Sequence, residues 1–302
     1  MRNEKGFALI LTLVITALMV AVTTELIHQV YVDTSLSRGF RDGQQGSLLA
    51  ESGVKVGLKL LQNALSSQTY SSFIEPLKQE DEVGSIEITA TEESGKINLN
   101  DLVTPQGKPN PFTEKALKLL GKQLNIPEDI WGALADWLDS DDLPSSGGAE
   151  TPYYQTLKPP YSARNGKLAS LTELSLIRGF TFDIIEKLRP FVTVYPTQTV
   201  LGGVTQININ TASKEVIRAL DERISVSMAE RVVEERRLRP FKTVADLSTI
   251  SGFAPIAPGL VGFATTKGIV FRIISQAHVK DSTRVVEAVA LLGGEILSWQ
   301  EY

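Results

Sequence analysis

The chain has 302 residues, 42% of them hydrophobic, and a net charge of −5. That length can bury one large or two ordinary cores, and the acidic balance argues against a general attraction to nucleic acid, whose affinity rests on neutralising phosphates. There is no cysteine and only two histidines, His28 and His278, which excludes disulfides, thiolate chemistry and thiolate-bound zinc and makes histidine-based catalysis improbable.

The first element is a hydrophobic helix. From Phe7 to Thr24 run eighteen uncharged residues, which as a helix cover roughly 27 Å against a hydrocarbon core of roughly 30 Å. Arg2 and Lys5 precede this run and Glu25 and Asp33 follow it, so the positive-inside bias keeps the start cytoplasmic and exports the rest. A cleavable secretory signal and a plain signal anchor share these features, but the only small-residue cleavage candidate, "AVT" at Ala21 to Thr23, is weak. The abrupt Lys5-Gly6-Phe7 junction resembles the leader of type IV pilins and pseudopilins. That resemblance implies cleavage by prepilin peptidase after Gly6 and methylation of a new N-terminal Phe7. It also makes Leu11 the fifth mature position, where typical pilins carry a glutamate that neutralises a neighbouring subunit's N-terminal amine. A subunit at the tip of a filament has no predecessor whose amine needs a partner, so Leu11 fits a first subunit.

The helix continues beyond the apolar run. Ala50, Val54, Leu58, Leu61 and Leu65 recur at spacings of four, four, three and four, one apolar face of an amphipathic helix. Gly39, Gly43 and Gly46 lie between the two parts and predict bending or melting there, since each costs up to about 1 kcal/mol relative to alanine. Next, "VGSIEITATEESGKINLN" at 83–100 alternates apolar and polar residues and reads as a strand hairpin turning at "SG". At the other end, "GIVFRIISQAHV", "TRVVEAVALL" and "EILSWQEY" are three β-rich runs separated by "KDS" and "GG", the pattern of an antiparallel sheet. Most of the sequence between is helical in pattern, so the reading is an α+β fold with a helical block inserted into a small sheet unit.

The block contains a repeat. "KINLNDL" at 96 is echoed by "QININTA" at 206, an offset of 110, and "ELSLIRGF" at 173 by "DLSTISGF" at 246, an offset of 73, leaving 37 extra residues in the first copy. Those extras fall around "DWLDSDDLPSSGGAETPYY". In the second copy Asn210, Thr211 or Ser213 can cap a helix beginning near Lys214.

Two constellations could carry chemistry. Asp136, Asp139, Asp141, Asp142 and Glu150 fall within fifteen residues, with Asp136 and Asp139 on one face of a helix over 131–138 and the others in a loop with Pro144, Gly147 and Gly148. Carboxylates so close repel unless a cation neutralises them, and oxygen donors on a flexible loop suit calcium. The stretch is not an EF-hand, because Leu143-Pro144 stands where the glycine is required. By spacing alone a solvated acidic loop and a cation site are nearly balanced, with the loop slightly ahead. Secondly, "INTASKEVIRAL" and "SMAERVVEERR" are similar to helix-hairpin-helix DNA-binding repeats but lack their glycine hairpin. Arg231, Arg236, Arg237 and Arg239 alternate with Glu230, Glu234 and Glu235, the pattern of a solvated helix whose cations favour its C-terminus. No nucleophile arrangement stands out, and the expectation is a non-enzymatic protein.

Taken together, "KGFALILTLVI", "ESGVKVGLKLL", "INLN", "ADWLDSDD", "GAETPYY", "LTELSLIRGF", "INTASKEVIRAL" and "PFKTVADL" resemble the general secretion pathway protein K family, minor pseudopilins of bacterial type II secretion. The resemblance spans essentially the whole chain. It implies a leader at 1–6, a transmembrane and filament-core helix at 7–30, a pilin-like first part at 31–99, an inserted helical domain at 100–266 with related units at about 100–195 and 206–266, and a C-terminal sheet at 267–302. It implies a calcium ion held by Asp139, Asp141 and Glu150, with Asp136 and Asp142 as weaker candidates. It further implies a place at the tip of the periplasmic pseudopilus with the minor pseudopilins I and J, and contact with prepilin peptidase, the inner membrane, and other parts of the secretion machinery. No nucleic acid is expected. A minor pilin of a type IV pilus and a membrane-anchored DNA-uptake protein are the alternatives.

Overall fold

The computed structural model describes residues 4–82, 84–196 and 205–302. In chain order its main elements are α1 (Glu4–Leu65), β1 (Leu77–Glu80), β2 (Ser85–Glu92), β3 (Ile97–Asn98), α2 (Pro111–Leu124), α3 (Ile130–Leu138), α4 (Thr151–Tyr154), α5 (Phe182–Leu188), β4 (Val192–Thr193), β5 (Ile207–Asn208), α6 (Lys214–Ala219), α7 (Val226–Leu238), α8 (Ala257–Leu260), β6 (Ala264–Thr265), β7 (Val270–Val279), β8 (Ser282–Leu291) and β9 (Ile296–Glu301). Short 3-10 turns at Glu93–Gly95, Leu99–Asp101, Leu171–Leu176 and Val244–Thr249 link them.

Helix α1 runs 62 residues. An 18-residue window near its start has a mean hydropathy of 2.5 and is wholly exposed, long and apolar enough to cross a membrane. Its last part buries Ala50, Val54, Leu61 and Leu65 against Ile88, Phe271, Ile273, Val286 and Ala288 of the sheet, as the spacing predicts, with Leu58 half-buried beside them. The melting expected as one outcome near Gly39, Gly43 and Gly46 does not occur, and α1 is continuous through all three. The reason is close packing. A Cβ on Gly43 or Gly46 would sit 3.1 or 3.0 Å from the Arg284 side chain, and one on Gly53 only 2.2 Å from Ser275 Oγ. These glycines form the seam through which the sheet approaches the helix backbone, and that contact offsets their poor helix propensity.

The sheet has the order β1-β2-β7-β8-β9 and every pairing is antiparallel. The three C-terminal runs form β7, β8 and β9 as read from sequence. The hairpin expected at 83–100 is a correction. β2 ends at Glu92 and pairs with β1 and β7, whereas Ile97 and Asn98 of β3 pair in parallel with Val192 and Thr193 of β4. Ser94 and Gly95 are buried, and a Cβ on Gly95 would lie 2.8 Å from the Thr211 backbone, so "SG" is a crossover pressed against the helical region and not a solvent turn. The true partner β1 was hard to see because all four of its residues are exposed and carry no apolar alternation.

A second cluster of buried apolar residues runs from Ile97 to Ala264. Within it the repeat is structural. β3 pairs in parallel with β4, and β5 with β6, so each copy opens and closes on a two-residue parallel ladder. Asn100 Oδ1 accepts the Leu168 amide at 2.7 Å, while its Nδ2 donates to the carbonyls of Leu168 and Val194 at 2.9 and 2.8 Å. Asn210 repeats this on Phe241 and Thr266, at 2.9 Å from the Phe241 amide and 2.9 and 3.2 Å to the two carbonyls. Gly179 and Gly252 take φ of +86° and +94° at matching turns, a conformation that glycine adopts without steric cost. Ser213 is the cap chosen for α6, accepting the Val216 amide at 3.1 Å.

Candidate metal centre

Helix α3, "IWGALADWL", is buried on nearly every side by its apolar residues, which forces the one carboxylate among them, Asp136, indoors. Asp139 follows as the residue closing the helix, its amide donating to Ala135. The loop then returns across Asp136. The Ser145 amide donates to both Asp136 oxygens at 3.0 and 3.1 Å. Gly147 takes φ +77°, and a Cβ on Gly148 would stand 1.9 Å from Asp136 Oδ2. These glycines let the backbone lie on the carboxylate and bring Glu150, buried at 3% exposure, to the start of α4. Arg178 braces the return by donating to the Gly148 carbonyl at 3.0 Å.

Asp136, Asp139 and Glu150 each offer a carboxylate oxygen, all within 4.8 Å of one another. Asp139 Oδ1 and both Glu150 oxygens are buried with no hydrogen-bond partner. Burial, then repulsion from Asp141 and Asp136, pushes the Asp139 carboxyl up to about 6. Burial and the four aspartates raise Glu150 to about 7. Orphaned hard oxygens without an imidazole or thiol among them fit a hard cation of the calcium type. Asp141 and Asp142 lie on the exposed loop outside this group, and Asp141 Oδ1 accepts the Leu143 amide at 2.8 Å. The structure therefore gathers Asp136, Asp139 and Glu150 and leaves the other two as neighbours that add negative charge.

Gly6, Phe7 and Leu11 lie in the exposed start of α1, with Phe7 69% and Leu11 48% exposed. The solvated reading of the arginine run is corrected at Arg236, which is buried and donates through Nη1 to the carbonyls of Ile209 and Ala212. Burial, with Arg237 nearby, lowers its guanidinium to about 10. Arg231 donates to the Ser251 carbonyl at 3.0 Å and Arg239 pairs with Glu235 at the same distance. Asn210, a cap candidate from sequence, instead brackets Phe241 and Thr266, and neither Asn100 nor the buried Glu92 stands out in the sequence as a site residue. The doubled "NLN" and "NIN" were the available signal for the asparagines, whereas a glutamate ending an alternating strand carries none.

Family models described as type II secretion system protein K match residues 95–197 and 207–266, together just over half of the chain. Type II secretion system protein K of Aeromonas hydrophila is 26% identical over 97% of this chain and 94% of its own length. The protein of the same name from Pseudomonas aeruginosa is 27% identical over 94% of this chain and 88% of its own. Among solved structures, the GspK-GspI-GspJ complex from enterotoxigenic Escherichia coli contains a chain that matches the fold with a TM-score of 0.75, at 21% identity, over 88% of this chain and 99% of that one. With its long helix laid on an antiparallel sheet and a doubled helical block between β2 and β7, the chain belongs to the type II secretion system protein K family.

Proposed function

We propose that this protein is the minor pseudopilin at the tip of the type II secretion pseudopilus, where it joins minor pseudopilins I and J to start assembly of the filament. The observation that carries the pseudopilin reading is the two-part helix α1: wholly exposed where it is most apolar, and packed on the sheet by its last turns. An exposed apolar helix needs either lipid or other helices around it. A single inner-membrane span with the N-terminus cytoplasmic and the folded bulk periplasmic supplies the first, and a filament core the second. The solved relative was captured in complex with GspI and GspJ, which supports the choice of partners. The role is architectural and involves no catalysis.

Processing by prepilin peptidase after Gly6 would leave Phe7 as the mature N-terminus. Mass spectrometry of membrane-extracted protein is expected to find a chain beginning at Phe7; one beginning at Met1 would contradict the assignment. Co-purification with I and J tests the assembly role. In the helical block, Asp136, Asp139 and Glu150 would hold a calcium ion, with backbone carbonyls or water completing its oxygen shell and Asp141 and Asp142 adding negative potential. The ion would neutralise three carboxylates and tie the end of α3 to the start of α4, a structural clamp in a chain that has no cysteine for disulfides.

A further inference from the structure

The two apolar clusters meet at a buried polar group that neither the membrane helix nor the metal centre uses. Glu92, the last residue of β2, is 9% exposed. Ser71, from the segment after α1, donates to its Oε2 at 2.6 Å, and Asn208 of β5 donates to its Oε1 at 2.7 Å. Ser71 Oγ also accepts from Asn208 Nδ2 at 2.8 Å and from the Gly268 amide at 2.9 Å. A Cβ on Gly268 would lie 1.8 Å from Glu92 Oε1, so glycine is what lets the backbone entering β7 close over the carboxyl. Four segments that are distant in sequence, β2 among them, meet at this carboxyl.

The repeat shows that Asn208 has been turned to this purpose. In the first copy, Asn98 keeps its Nδ2 at home, on the Tyr195 carbonyl at 3.3 Å. Asn98 and Asn208 both accept the amide two residues on, at 3.0 and 2.9 Å. Only the second sends its Nδ2 out of the unit to the sheet.

No cation is bonded to Glu92 among the described residues. On the sheet side, Glu93 is held by Lys96 and Arg272, and Arg272 also pairs with Glu287. Lys267, from the link into β7, donates to the carbonyls of Leu65 and Gln68, and Arg236 of α7 to those of Ile209 and Ala212. Asp101 is occupied by Thr205. The carboxyl is hydrogen-bonded by the neutral donors Ser71 and Asn208, with the hydroxyls of Ser94 and Thr211 beside it, and burial outweighs them, raising it to about 7. Because Ser71 Oγ already accepts two hydrogen bonds, its own hydrogen points to Oε2, so a proton on Glu92 belongs on Oε1.

We propose that Glu92 is a protonation-sensitive latch between the sheet and the second helical unit: with its proton the seam is closed and neutral, and without it four segments enclose an unpaired anion. The folded value lies above the ordinary glutamate value, so the latch contributes most below the unfolded value and loses that contribution as pH rises through about 7.

The test uses the full chain, solubilised with its helix and saturated with calcium, compared with E92Q. From about pH 5 to about pH 8 the melting temperature of wild type is expected to fall relative to E92Q, and exchange protection of the Ser71 and Gly268 amides, corrected for intrinsic rates, to drop about tenfold or more in wild type alone. Parallel pH curves for the two proteins would overturn the latch. If E92Q does not fold, S71A serves. It removes a donor to the ionised carboxylate and, read at the residue-71 amide, which keeps its bond to the Thr266 carbonyl, is expected to move the midpoint of the protection curve upward by about half a pH unit or more. An unmoved midpoint would overturn the proposal equally.

Discussion

Asp139 and Glu150 illustrate how one residue's chemistry depends on another's backbone. Eleven positions apart, they share a site because Gly147 and Gly148 allow the loop to lie against Asp136. In metal-free protein their raised carboxyls are favourable while protonated, so stability is expected to fall as pH rises from about 4.5 through about 7. Added calcium is expected to abolish this loss and raise the melting temperature, with tighter binding at higher pH because the ligands must be ionised. Melting curves with chelator and with calcium, across pH, check both statements; Glu150→Gln should remove most of the calcium response, and identical curves in wild type would count against the centre. Asn100 and Asn210 are the corresponding residues of the fold itself. Each closes a unit with three buried hydrogen bonds to backbone, so Asn210→Ala leaves orphaned groups and is expected to cost about 2 to 4 kcal/mol in denaturant unfolding. The sequence showed these asparagines as a repeated pattern. Their task as brackets was hidden, because Leu168 and Phe241 are brought to them by the fold.

Helix α1 is the element for which local propensity and packing disagree most. Propensity alone places a weak point at Gly39, Gly43 and Gly46, yet only the sheet decides which glycines matter. Gly39 has open space around it, whereas a Cβ on Gly53 would meet Ser275 Oγ at 2.2 Å and Ile86 Cδ1 at 2.5 Å. Gly39→Ala is therefore expected to stabilise the helix by up to about 1 kcal/mol, and Gly53→Ala to destabilise the helix and sheet contact by about 1 to 3 kcal/mol. Thermal melting of the two variants gives opposite signs if the seam is real, and equal effects would argue that α1 does not pack there. Among strands the same contrast holds. β7 alternates buried and half-buried side chains and β8 is an apolar run buried through most of its second half, so both were legible, while β1 is exposed throughout and β3 is two residues long, too little pattern for periodicity to register.

Across the whole molecule, two apolar clusters are joined at the buried pair Glu92 and Glu93, adjacent in sequence and opposite in behaviour. Burial would raise the Glu93 carboxyl, but Lys96 and Arg272 hold it below the usual range, while Glu92 meets only neutral donors and rises. The division of the chain at 100–266 is a proposal at this scale. So is the place of the subunit at the tip, which rests on Leu11. A buried charge without a partner costs several kcal/mol, so a subunit with no predecessor is expected to gain nothing from a glutamate there. Leu11→Glu is predicted to leave pseudopilus assembly unchanged or mildly impaired in a secretion assay. Clearly improved assembly would mark this protein as an ordinary shaft subunit.

What the sequence determined by itself is whatever depends on local order: the span of the apolar helix, the amphipathic face that follows it, the three C-terminal strands, the doubling of the helical block and the acidic composition of its long loop. Each is written as periodicity or composition within a window, and neighbouring residues enforce it through backbone geometry alone. The tertiary structure decided what depends on approach between distant segments. It chose Asp136 over Asp141 as the third carboxylate, drew Arg236 indoors, made glycines into a helix seam, turned an apparent hairpin into a crossover and closed Ser71, Asn208 and Gly268 around Glu92. Those outcomes follow from burial, because the cost of removing a polar group from water is fixed only when the groups packed around it are known.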